Sequence, residues 1–502
     1  MKLSRILGNS GIEYSGADPD ITAIINDSRQ AGPGALFFAL PGAKTDGINF
    51  IRQALEKGTS AVISGTEAPA ELRAAYPTAV FIKAAGLQTA LSRTAATFYS
   101  HPSSRLKVFG ITGTKGKTTT AYLLESILRL AGARPGVIGT INYRVDGRVL
   151  APASNTTPPA HTLQELLSKM VSADALTAVL EVSSHALALG RVEDVYFDCA
   201  VFTNLQRDHL DFHKDRESYF QAKARIFELL ERSPKKEKYA VINADDERAP
   251  ELLKSLRGRV RVVTFGIEKP SDFRAENSEI LETMTRFKLK TAGQTIPVKI
   301  NLPGRHNIYN ALAAIAASAG GSIGPRAAVA GVEALASVPG RLERVDLGQD
   351  FTVFVDYAHT DAALENVLSN LKLLPHGRII TVFGCGGDRD RTKRAPMGAI
   401  SCSLSDLAIV TSDNPRTEDP AQIFSDIEKG IAGKFTNYEV IPDRRAAITK
   451  AVTQAEKGDI ILIAGKGHEI YQILKDRTIH FSDVEEAAEA IKFKMAGRKN
   501  LI

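Results

Sequence analysis

The chain has 502 residues, of which 44% are hydrophobic and 24% are charged, and its formal net charge is +6 at pH 7. This length accommodates three ordinary domains, and the composition is typical of soluble globular chains. The positive charge is too dilute to indicate nucleic-acid binding, and its densest run, 235–238, is short and interrupted. No apolar run reaches the roughly 18 residues of a membrane span, and the N-terminus lacks a signal-peptide core. We therefore expect a cytoplasmic protein with anionic small substrates, no nucleic-acid partner and no membrane span.

The three cysteines, Cys199, Cys385 and Cys402, show no spacing that is typical of metal ligands. They suit a reducing compartment, and the apolar surroundings of Cys199 favour a role in core packing. We expect no zinc site.

Residues 1 to about 97 predict a small α/β domain, because short apolar runs alternate with helical patterns such as Asn49–Lys57. The polar cluster Asp27-Ser28-Arg29 lies beside tight turns, and turn chemistry and a ligand site both account for it. The predicted strands are Ala35–Leu40, Ser60–Ile63 and Ala79–Ile82.

From about 98 to 338 the alternation of strands and helices strengthens. It indicates a doubly wound, mainly parallel sheet, in which ligands gather at the carboxyl ends of the strands. A polar/apolar alternation after Phe273 predicts antiparallel strands, and a helix is predicted at Asn307–Ala317. The predicted parallel strands are Val108–Thr112, Val137–Ile141, Ala178–Val182, Ala200–Asn204, Ala240–Asn243 and Val260–Phe265.

The first of these strands runs into a glycine loop and then into a helix that begins Lys117-Thr118, the order of a phosphate-binding loop. Backbone N–H groups and the helix N-terminus favour phosphate oxygens, Lys117 adds a positive charge, and the Thr118 hydroxyl suits Mg²⁺. The loop is a variant, because Ile111 stands where the usual motif has its first glycine. A glycine turn without a ligand is the alternative.

A third alternating unit begins at about 339 and predicts a second doubly wound domain of Rossmann type. Its predicted strands are Thr352–Asp356, Ile379–Phe383, Leu407–Thr411 and Ile460–Ala464, and its predicted helices are Ala362–Leu373, Ala421–Ile431, Arg444–Ala455 and Val484–Ala490. The chain is thus predicted to be an α/β protein of three domains: 1–97, 98–338 and 339–502.

Two further strands of the central domain end in residues suited to phosphate and metal chemistry. Glu181 emerges from a buried strand opposite the phosphate loop, where a nucleotide's Mg²⁺ is usually held, and helix capping is the alternative. The next strand is followed by two imidazoles and two carboxylates within 208–213. Such density rarely serves packing, although a structural role for His213 stays open.

In their order, these motifs resemble those of the Mur ligases of peptidoglycan synthesis. The similarity covers nearly the full length and is carried by the segments Gly113–Thr119, Glu181–His185, Thr203–Asp211, Asn243–Asp246, Leu302–Asn310 and Asp356–His359. Four more segments resemble the members that add meso-diaminopimelate to UDP-N-acetylmuramoyl-L-alanyl-D-glutamate: Asp27–Arg29, Gly384–Arg389, Asp413–Arg416 and Gly465–Glu469.

The resemblance implies a three-domain ligase with ATP as co-substrate and Mg²⁺ as cofactor. Thr118, Glu181 and His209 would hold Mg²⁺ together with Lys223, whose carbamylation would turn a cation into a metal-binding carboxylate. Without the resemblance, Lys223 is predicted to be a solvated helix residue. The catalytic residues implied are Lys117, Lys223, His209 and Glu181. The implied ATP-binding residues are Gly113, Thr114, Lys115, Gly116, Lys117, Thr118, Thr119, Asn243, Asn307, Asn310, Arg341, Asp356 and Lys393.

The resemblance also implies two substrate sites. The UDP-N-acetylmuramoyl-dipeptide would be bound by Ser28, Asn155, Thr156, Thr157, Ser184 and Arg191, and meso-diaminopimelate by Arg389, Asp413, Asn414, Arg416, Gly465 and Glu469. Arg416 would grip the far carboxylate of diaminopimelate, and Asn414 and Glu469 its neighbouring amine. Asp361 replaces a proline common in the family, and Ala43-Lys44 replace a His-Gln pair found near uracil in some relatives, which leaves the uracil contacts open.

The implied reaction is amide formation through an acyl phosphate, in which fixed cations matter more than any acid or base. Closure of the domains over ATP is also implied, and we expect a monomer. The alternatives are an L-lysine-adding Mur ligase and a folylpolyglutamate synthetase, the latter disfavoured by the Asp27–Arg29 domain. A nucleotide-gated protein that binds a UDP-sugar without chemistry would be expected to have lost Lys117 or a metal ligand, and none is lost.

Overall fold

A computed structural model of the chain describes residues 1–8, 10–14, 16–42, 45–320 and 323–499. These residues form two compact units. The first unit comprises Met1–Arg274, Lys290–Gln294 and Tyr309–Val332, and the second comprises Ala275–Leu289, Thr295–Ile308 and Glu333–Ile502. Ala43 and Lys44, for which uracil contacts were left open, lie outside the described residues.

The first unit opens with a parallel four-stranded sheet whose strands lie side by side in chain order. Leu36 and Phe38 of the second strand face one apolar cluster and Phe37 faces another, so the sheet is packed on both sides. The elements are α1 (Leu3–Leu7), β1 (Ala23–Ile25), β2 (Ala35–Ala39), α2 (Ile51–Glu56), β3 (Ala61–Ser64), α3 (Ala70–Ala75), β4 (Val80–Lys83) and α4 (Leu87–Phe98), with 3₁₀ turns at Ser28–Gln30, Gly47–Phe50 and Pro102–Arg105.

A larger sheet follows in the same unit. Its strands are β5 (Lys107–Thr112), β6 (Pro135–Ile138), β7 (Asn142–Val145), β8 (Arg148–Pro152), β9 (Thr177–Glu181), β10 (Cys199–Phe202), β11 (Tyr239–Asn243) and β12 (Arg261–Gly266). Its helices are α5 (Lys117–Leu130), α6 (Ala160–Ser172), α7 (Ser184–Ala188), α8 (Leu210–His213), α9 (Arg216–Arg232), α10 (Ala249–Leu256), α11 (Arg305–Ala319, of which the part from Tyr309 belongs to this unit) and α12 (Pro325–Glu333, of which the part up to Val332 belongs to this unit).

The strand order β12-β11-β10-β5-β9-β6-β7-β8 places β5 between β9 and β10. All neighbours from β12 to β6 are parallel, while β7 and β8 add an antiparallel ribbon. Ile111 of β5 is level with Glu181 of β9, and Thr112 is level with Phe202 of β10. The carboxyl ends of three strands therefore meet where the loop before α5 begins.

The second unit contains the rest of the described chain. Three of its strands belong to it only in part: β13 (Phe273–Ile280) from Ala275 onward, β14 (Thr285–Thr291) up to Leu289 and β15 (Gln294–Ile300) from Thr295 onward. Its other strands are β16 (Glu343–Arg344), β17 (Thr352–Asp356), β18 (Ile379–Phe383), β19 (Leu407–Val410), β20 (Tyr438–Val440), β21 (Ile460–Ala464), β22 (Tyr471–Ile473) and β23 (Thr478–His480). Its helices are α13 (Asp361–Leu371), α14 (Arg394–Leu404), α15 (Pro420–Glu428), α16 (Arg444–Gln454) and α17 (Asp483–Lys499).

The main sheet of this unit has the order β16-β17-β21-β18-β19-β20 and is parallel except for β16. Successive residues of a strand point to opposite faces. Phe354 accordingly packs in the cluster that includes α13, α14 and α15, while Val353 and Val355 pack in the cluster that includes α16 and α17. Because both faces are covered, the strands of this sheet are continuous apolar runs.

The predicted α/β class, the mainly parallel central sheet and the doubly wound C-terminal unit are confirmed. All strands predicted between 98 and 338 and after 339 are present, with ends shifted by at most a few residues. The ribbon β7–β8, the hairpin β22–β23 and helix α12 were not predicted. The domain boundaries 1–97, 98–338 and 339–502 stay a prediction, because contacts divide the chain into two units.

Two bulk predictions have structural counterparts. Within the described ranges, we find no helix that combines the length and the apolar character needed to cross a bilayer. The three cysteines are free thiols and are buried, and Cys199 lies in β10 within the sheet, which confirms its role in core packing.

Candidate functional site

The phosphate-binding loop predicted from the sequence connects β5 to α5, and its glycines have backbone conformations that other residues rarely adopt. Gly113 has φ of +146° and Gly116 has φ of +86°. A Cβ atom on Gly113 would lie 1.9 Å from the Thr203 hydroxyl, and one on Gly116 would lie 2.3 Å from the Asn310 side-chain oxygen. Both positions therefore require glycine, and the loop can approach a ligand with its backbone.

The two lysines of the loop are held by neighbouring oxygens. Lys117 Nζ donates to the carbonyl oxygens of Gly113 at 2.9 Å and Thr114 at 3.1 Å. Lys115 Nζ lies 3.4 Å from an Asp208 carboxylate oxygen. Both cations thus lie along the loop, where the charge of a phosphate would be stabilised.

Thr118, the second residue of α5, meets the strand-end carboxylate. Its Oγ1 donates to Glu181 Oε2 at 2.8 Å. Thr140 donates to the same carboxylate from its hydroxyl at 2.9 Å and from its backbone N–H at 3.0 Å. The Thr140 hydroxyl also lies 3.1 Å from that of Thr156. This series of hydrogen bonds joins the phosphate loop to the segment predicted to bind the UDP-substrate. The neighbouring Thr119 is buried in the first turn of α5.

Lys223 is buried beneath the loop, with 1% of its surface exposed. The sequence-only prediction of a solvated residue is therefore wrong. Its Nζ donates to the Gly113 carbonyl at 2.8 Å and lies 4.4 Å from the ring centroid of Tyr219. Burial, reinforced by the nearby charge of Lys117, lowers the pKa of the Lys223 amine well below its usual value.

Three aromatic rings lie around His185. The ring of His209 lies 4.8 Å away between centroids, that of Phe212 4.2 Å and that of His213 5.5 Å. His209 has φ of +54° and a side chain that is 48% exposed. His213 is buried, and its Nε2 lies 2.9 Å from the Ser184 hydroxyl.

The four predicted metal ligands are only partly grouped. Thr118 and Glu181 are in contact, Lys223 is bonded to the loop, and His209 packs against His185. In the part of the chain that the structure describes, no three His, Cys, Asp or Glu side chains form a metal cage. The donors present at Glu181 and Thr118 are oxygens, which is the ligand type that Mg²⁺ prefers.

Two of the asparagines assigned to ATP lie in the first unit and are nearly fully buried. Asn243 donates to the Thr203 carbonyl at 2.8 Å and accepts from the Asp245 backbone N–H at 3.1 Å. Asn310 faces Gly116. Asn243 therefore fixes the ends of β10 and β11, and Asn310 borders the phosphate loop.

The residues assigned to the UDP-substrate form two separate groups, one at Ser28 and one beside Glu181. Ser28 is buried and donates to Gln53 at 2.6 Å. Thr157 donates to the Glu181 carbonyl at 2.8 Å and receives the backbone N–H of Ser183. Arg191 donates to the Thr157 carbonyl at 2.8 Å, and burial lowers its pKa. Asn155 is exposed at the same segment, so this second group adjoins the Glu181 site.

In the second unit, the residues assigned to ATP lie around the end of β17. The Asp356 carboxylate accepts the backbone N–H groups of Leu342 and Ala358, each at 2.8 Å. The Arg341 guanidinium lies 5.1 Å from the centroid of the Tyr357 ring. Asp356 therefore fixes the turn that presents Arg341.

Two further residues of the second unit are assigned to ATP. Lys393 Nζ donates to the His359 carbonyl at 2.7 Å, and burial lowers its pKa, which Cys385 and Asp413 partly offset. Asn307 is buried, and its side-chain NH₂ donates to the Pro303 carbonyl at 2.7 Å, four residues earlier in the chain.

The residues assigned to diaminopimelate are mostly brought together at the carboxyl ends of β18, β19 and β21. A Cβ atom on Gly386 would lie 2.9 Å from Arg416, 3.7 Å from Arg389 and 3.8 Å from Asp413. A Cβ atom on Gly465 would lie 2.8 Å from the Asp413 carboxylate. The close approach of these side chains to two glycines makes a compact polar site.

Both the backbone and the side chain of Arg416 are held by hydrogen bonds to backbone carbonyls. Its φ is +54°, and its backbone N–H donates to the Ile473 carbonyl at 3.1 Å. One guanidinium nitrogen donates to the Gly387 carbonyl at 2.9 Å. A left-handed conformation is costly for arginine and is typical of functional sites.

Asn414 and Glu469 contact each other through a hydrogen bond of 2.8 Å from Asn414 Nδ2 to Glu469 Oε2. Between them lies Lys466, whose side chain is fully buried and whose Nζ lies 3.3 Å from Asn414 Oδ1 and 3.1 Å from Glu469 Oε2. An ammonium ion with no exposed surface is stable only when it is paired in this way.

The sequence analysis missed three residues of these sites. Thr140 follows a strand of the parallel sheet, so the rule that ligands gather at carboxyl ends could have identified it. Tyr219, which bonds Thr114 at 3.2 Å, belongs to the motif that contains Lys223. Lys466 lies inside a recognised motif, but no pattern in the sequence indicates its burial.

Three family models match the chain in succession. They are described as "Mur ligase family, catalytic domain" over residues 20–99, "Mur ligase middle domain" over 111–318 and "Mur ligase, glutamate ligase domain" over 340–467.

Curated relatives match along nearly the whole chain. A UDP-N-acetylmuramoyl-L-alanyl-D-glutamate--2,6-diaminopimelate ligase of Solibacter usitatus is 46% identical and covers 95% of this chain and 94% of its own length. The protein of the same name from Bacillus cereus is 44% identical, with 94% of each chain covered.

Solved structures extend the similarity to the fold. One of a UDP-N-acetylmuramoyl-L-alanyl-D-glutamate--2,6-diaminopimelate ligase is 33% identical, covers 99% of both chains and has a TM-score of 0.69. MurF from Acinetobacter baumannii is 20% identical, covers 92% of this chain and 95% of its own and has a TM-score of 0.65, which supports the three-domain fold alone.

Proposed function

Because the chain belongs to the Mur ligase family, we propose that it is the ATP-dependent ligase that adds meso-diaminopimelate to UDP-N-acetylmuramoyl-L-alanyl-D-glutamate. The observation that carries the proposal is full-length similarity, at 42% to 46% identity, to relatives that bear this name. The reaction is a step of peptidoglycan synthesis.

ATP is the co-substrate, and its phosphates are assigned to the loop Gly113–Thr119. The left-handed glycines and the cations Lys115 and Lys117 support this assignment. ATP would also be bound by Asn243, Asn307, Asn310, Arg341, Asp356 and Lys393.

Mg²⁺ is the proposed metal, and the residues present fit it. The Glu181 carboxylate and the Thr118 hydroxyl offer oxygen ligands side by side. Mg²⁺ usually keeps several waters and binds one or two carboxylates together with substrate phosphates, so a complete protein cage is not required. His209 and carbamylated Lys223 would be further ligands. When bound, the ion neutralises phosphate charge.

The burial of Lys223 supports its carbamylation. An amine kept neutral in an apolar setting is the form that reacts with CO₂, and the product is a carboxylate in place of an ammonium. The Lys223 amine donates to the Gly113 carbonyl, within the loop to which the phosphates are assigned.

The chemistry proceeds in two balanced steps. A γ-carboxylate oxygen of the D-glutamyl residue attacks the γ-phosphorus of ATP, which forms an acyl phosphate and releases ADP. The deprotonated amine of diaminopimelate then attacks the acyl carbon, and inorganic phosphate leaves as the amide forms. Both steps develop negative charge on phosphate oxygens, and Lys117 supplies a fixed positive charge there.

The UDP-substrate is assigned to Ser28, Asn155, Thr156, Thr157, Ser184 and Arg191, and diaminopimelate to Arg389, Asp413, Asn414, Arg416, Gly465 and Glu469. We further propose domain boundaries at 1–97, 98–338 and 339–502, a cytoplasmic location, a monomeric state and no nucleic-acid partner.

Phosphate release from ATP, measured with the UDP-dipeptide and each amino acid in turn, tests the proposal. Turnover with meso-diaminopimelate and little with L-lysine is expected. Preference for L-lysine would favour the lysine-adding alternative. Activity only with a folate and glutamate would favour folylpolyglutamate synthetase.

A further inference from the structure

Lys466 is a buried cation whose hydrogen-bonding capacity is fully used inside the protein. Its side chain has no exposed surface. Its Nζ lies 3.3 Å from Asn414 Oδ1, 3.1 Å from Glu469 Oε2 and 2.5 Å from the Tyr471 carbonyl oxygen. An ammonium group has three N–H donors and no acceptor. With three acceptors in place, Lys466 has no donor left for a ligand.

The same contacts determine the orientation of the Asn414 amide. Its Oδ1 is approached by Lys466 Nζ and by the backbone N–H of Ile473, at 2.9 Å. Both groups only donate, so the oxygen must face them and the NH₂ group must face Glu469. Because Oδ1 already accepts two hydrogen bonds and Asn414 is 1% exposed, the amide has no acceptor to offer to an amine.

The carboxylate of Glu469 accepts hydrogen bonds from protein groups through one of its two oxygens. Its Oε2 receives Asn414 Nδ2 at 2.8 Å and Lys466 Nζ at 3.1 Å. Within the described residues, no hydrogen bond or ion pair is assigned to Oε1, and the side chain is 15% exposed. The carboxylate is thus anchored through one oxygen and presents the other.

We propose that Lys466 is a positioning residue that locks Asn414 and Glu469, so that Glu469 Oε1 alone receives the ammonium group of the incoming amino acid. This deepens the proposed function and rests on it for the identity of that amino acid. Asn414 then acts through Glu469 and does not bind the amine itself.

Steady-state kinetics of the full chain with Lys466→Met provide the first test. Methionine has nearly the length of lysine but lacks its donors and charge. Since one anchored charge pair is lost, KM for meso-diaminopimelate should rise by at least about tenfold. KM for ATP and for the UDP-dipeptide should stay within about twofold, because those ligands do not depend on Glu469. An unchanged KM for diaminopimelate, or equal rises in all three KM values, would overturn the proposal.

A double variant tests whether Lys466 acts through Glu469. If it does, Lys466→Met combined with Glu469→Gln should raise KM no more than the stronger single variant does. Multiplication of the two single effects would overturn the proposal. Arg378→Met is the matched control, because it removes a cation bonded to buried Asp459 at the opposite end of the same strands, and it should leave KM for diaminopimelate unchanged.

A readout without turnover separates this inference from the proposed function. With ¹⁵N-labelled asparagine, the side-chain amide signal of Asn414 can be assigned by its loss in Asn414→Ser. Its protons should exchange slowly in the wild type and in Arg378→Met, and at least about tenfold faster in Lys466→Met. Unchanged exchange in Lys466→Met would overturn the lock. Wild-type protein that joins no diaminopimelate yet shows the protected signal would overturn the proposed function instead.

Discussion

The hydroxyl of Thr118 donates a 2.8 Å hydrogen bond to the carboxylate of Glu181, which joins the first turn of α5 to the end of β9. This contact exists because β5 and β9 are adjacent and parallel, with Ile111 level with Glu181. The carboxylate is almost completely buried. The protein groups that donate to it are the neutral hydroxyls and backbone N–H of Thr118 and Thr140, so a bound cation would stabilise this buried carboxylate further, which supports a metal-binding role.

We expect Glu181→Gln to weaken the dependence on Mg²⁺. The substitution keeps the shape but removes the charge, so the Mg²⁺ concentration for half-maximal activity should rise by at least about tenfold. The rate of phosphate release measured over a magnesium titration tests this. Glu489→Gln, which changes an exposed residue paired with Lys492, is the control. An unaltered magnesium titration in Glu181→Gln would rule out the assigned ligand.

Lys117→Ala should lower kcat by roughly a hundredfold or more and leave binding of the UDP-substrate nearly intact, because the lysine acts on phosphate charge in the transition state. Turnover and calorimetric binding together test this. Lys107→Ala is the matched control, since Lys107 begins β5, the strand that leads into the loop, and donates to the Gly320 carbonyl. Near wild-type turnover of Lys117→Ala would contradict the phosphate assignment.

Lys223→Ala should be nearly inactive, and short carboxylic acids such as acetate should restore part of the activity by taking the place of the carbamate. The cavity left by a buried lysine has room for such an acid. Phosphate release is measured with and without acetate, and Lys117→Ala serves as the variant that acetate should not rescue. A wild-type rate for Lys223→Ala would show that the carbamate has no role in turnover.

The ion pairs of Glu418 predict a pH dependence of stability. Arg391 and Arg394 donate to its carboxylate at 2.9 and 3.0 Å, and the Arg391 bond in particular lowers the pKa of Glu418 from 4.5 to about 2. A depressed folded-state pKa stabilises the protein above the unfolded value, and this stability is lost as the pH falls from about 4.5 to about 2. Glu418→Gln should therefore lower the urea midpoint at pH 6 and have little effect near pH 2. An equal difference at both pH values would contradict this.

The sequence predicted the phosphate loop because its signal is local. A β-branched strand, two loop glycines and a Lys-Thr pair follow one another within 108–118. The loop is built from these consecutive residues, so its formation does not depend on contacts between distant parts of the sequence. The positions of the strands in both parallel sheets could also be predicted, because a strand covered by helices on both faces is a short continuous apolar run. The ends of the strands were predicted less exactly. Gly139, for example, lies just beyond the last residue of β6 and next to the Glu181 side chain of β9.

The burial of Lys223 was missed for a different reason. Along α9 the buried positions Tyr219, Lys223, Ile226, Phe227 and Leu230 follow helical spacing, so the lysine stands on the apolar stripe. The position of Lys223 on this stripe therefore predicts its burial. Lys466 offers no such signal, because its burial results from contacts with Asn414 and Tyr471, which packing alone brings together.

The choice of amino acid depends on a group that is left unpaired when the second carboxylate of diaminopimelate is missing, as it is in L-lysine. Arg416 suits this role, because its planar fork can hold a carboxylate with two parallel hydrogen bonds. In the structure the Arg416 backbone is fixed by Ile473, and its side chain contacts Gly386, beside Asp413 and Arg389. The guanidinium is half-buried, so a carboxylate bound there would lose much of its water.

Loss of a desolvated, charge-assisted pair costs about 2 to 5 kcal/mol, which corresponds to roughly thirtyfold to several thousandfold in affinity. We therefore expect Arg416→Ala to raise KM for meso-diaminopimelate by at least about thirtyfold, while KM for ATP changes far less. Arg416→Lys should recover little, because an ammonium cannot form the fork. Arg445→Ala, at an exposed arginine paired with Glu486, controls for the loss of a positive charge. If Arg416→Ala left KM for diaminopimelate unchanged, or if the wild type preferred L-lysine, Arg416 could not be the residue that selects the amino acid.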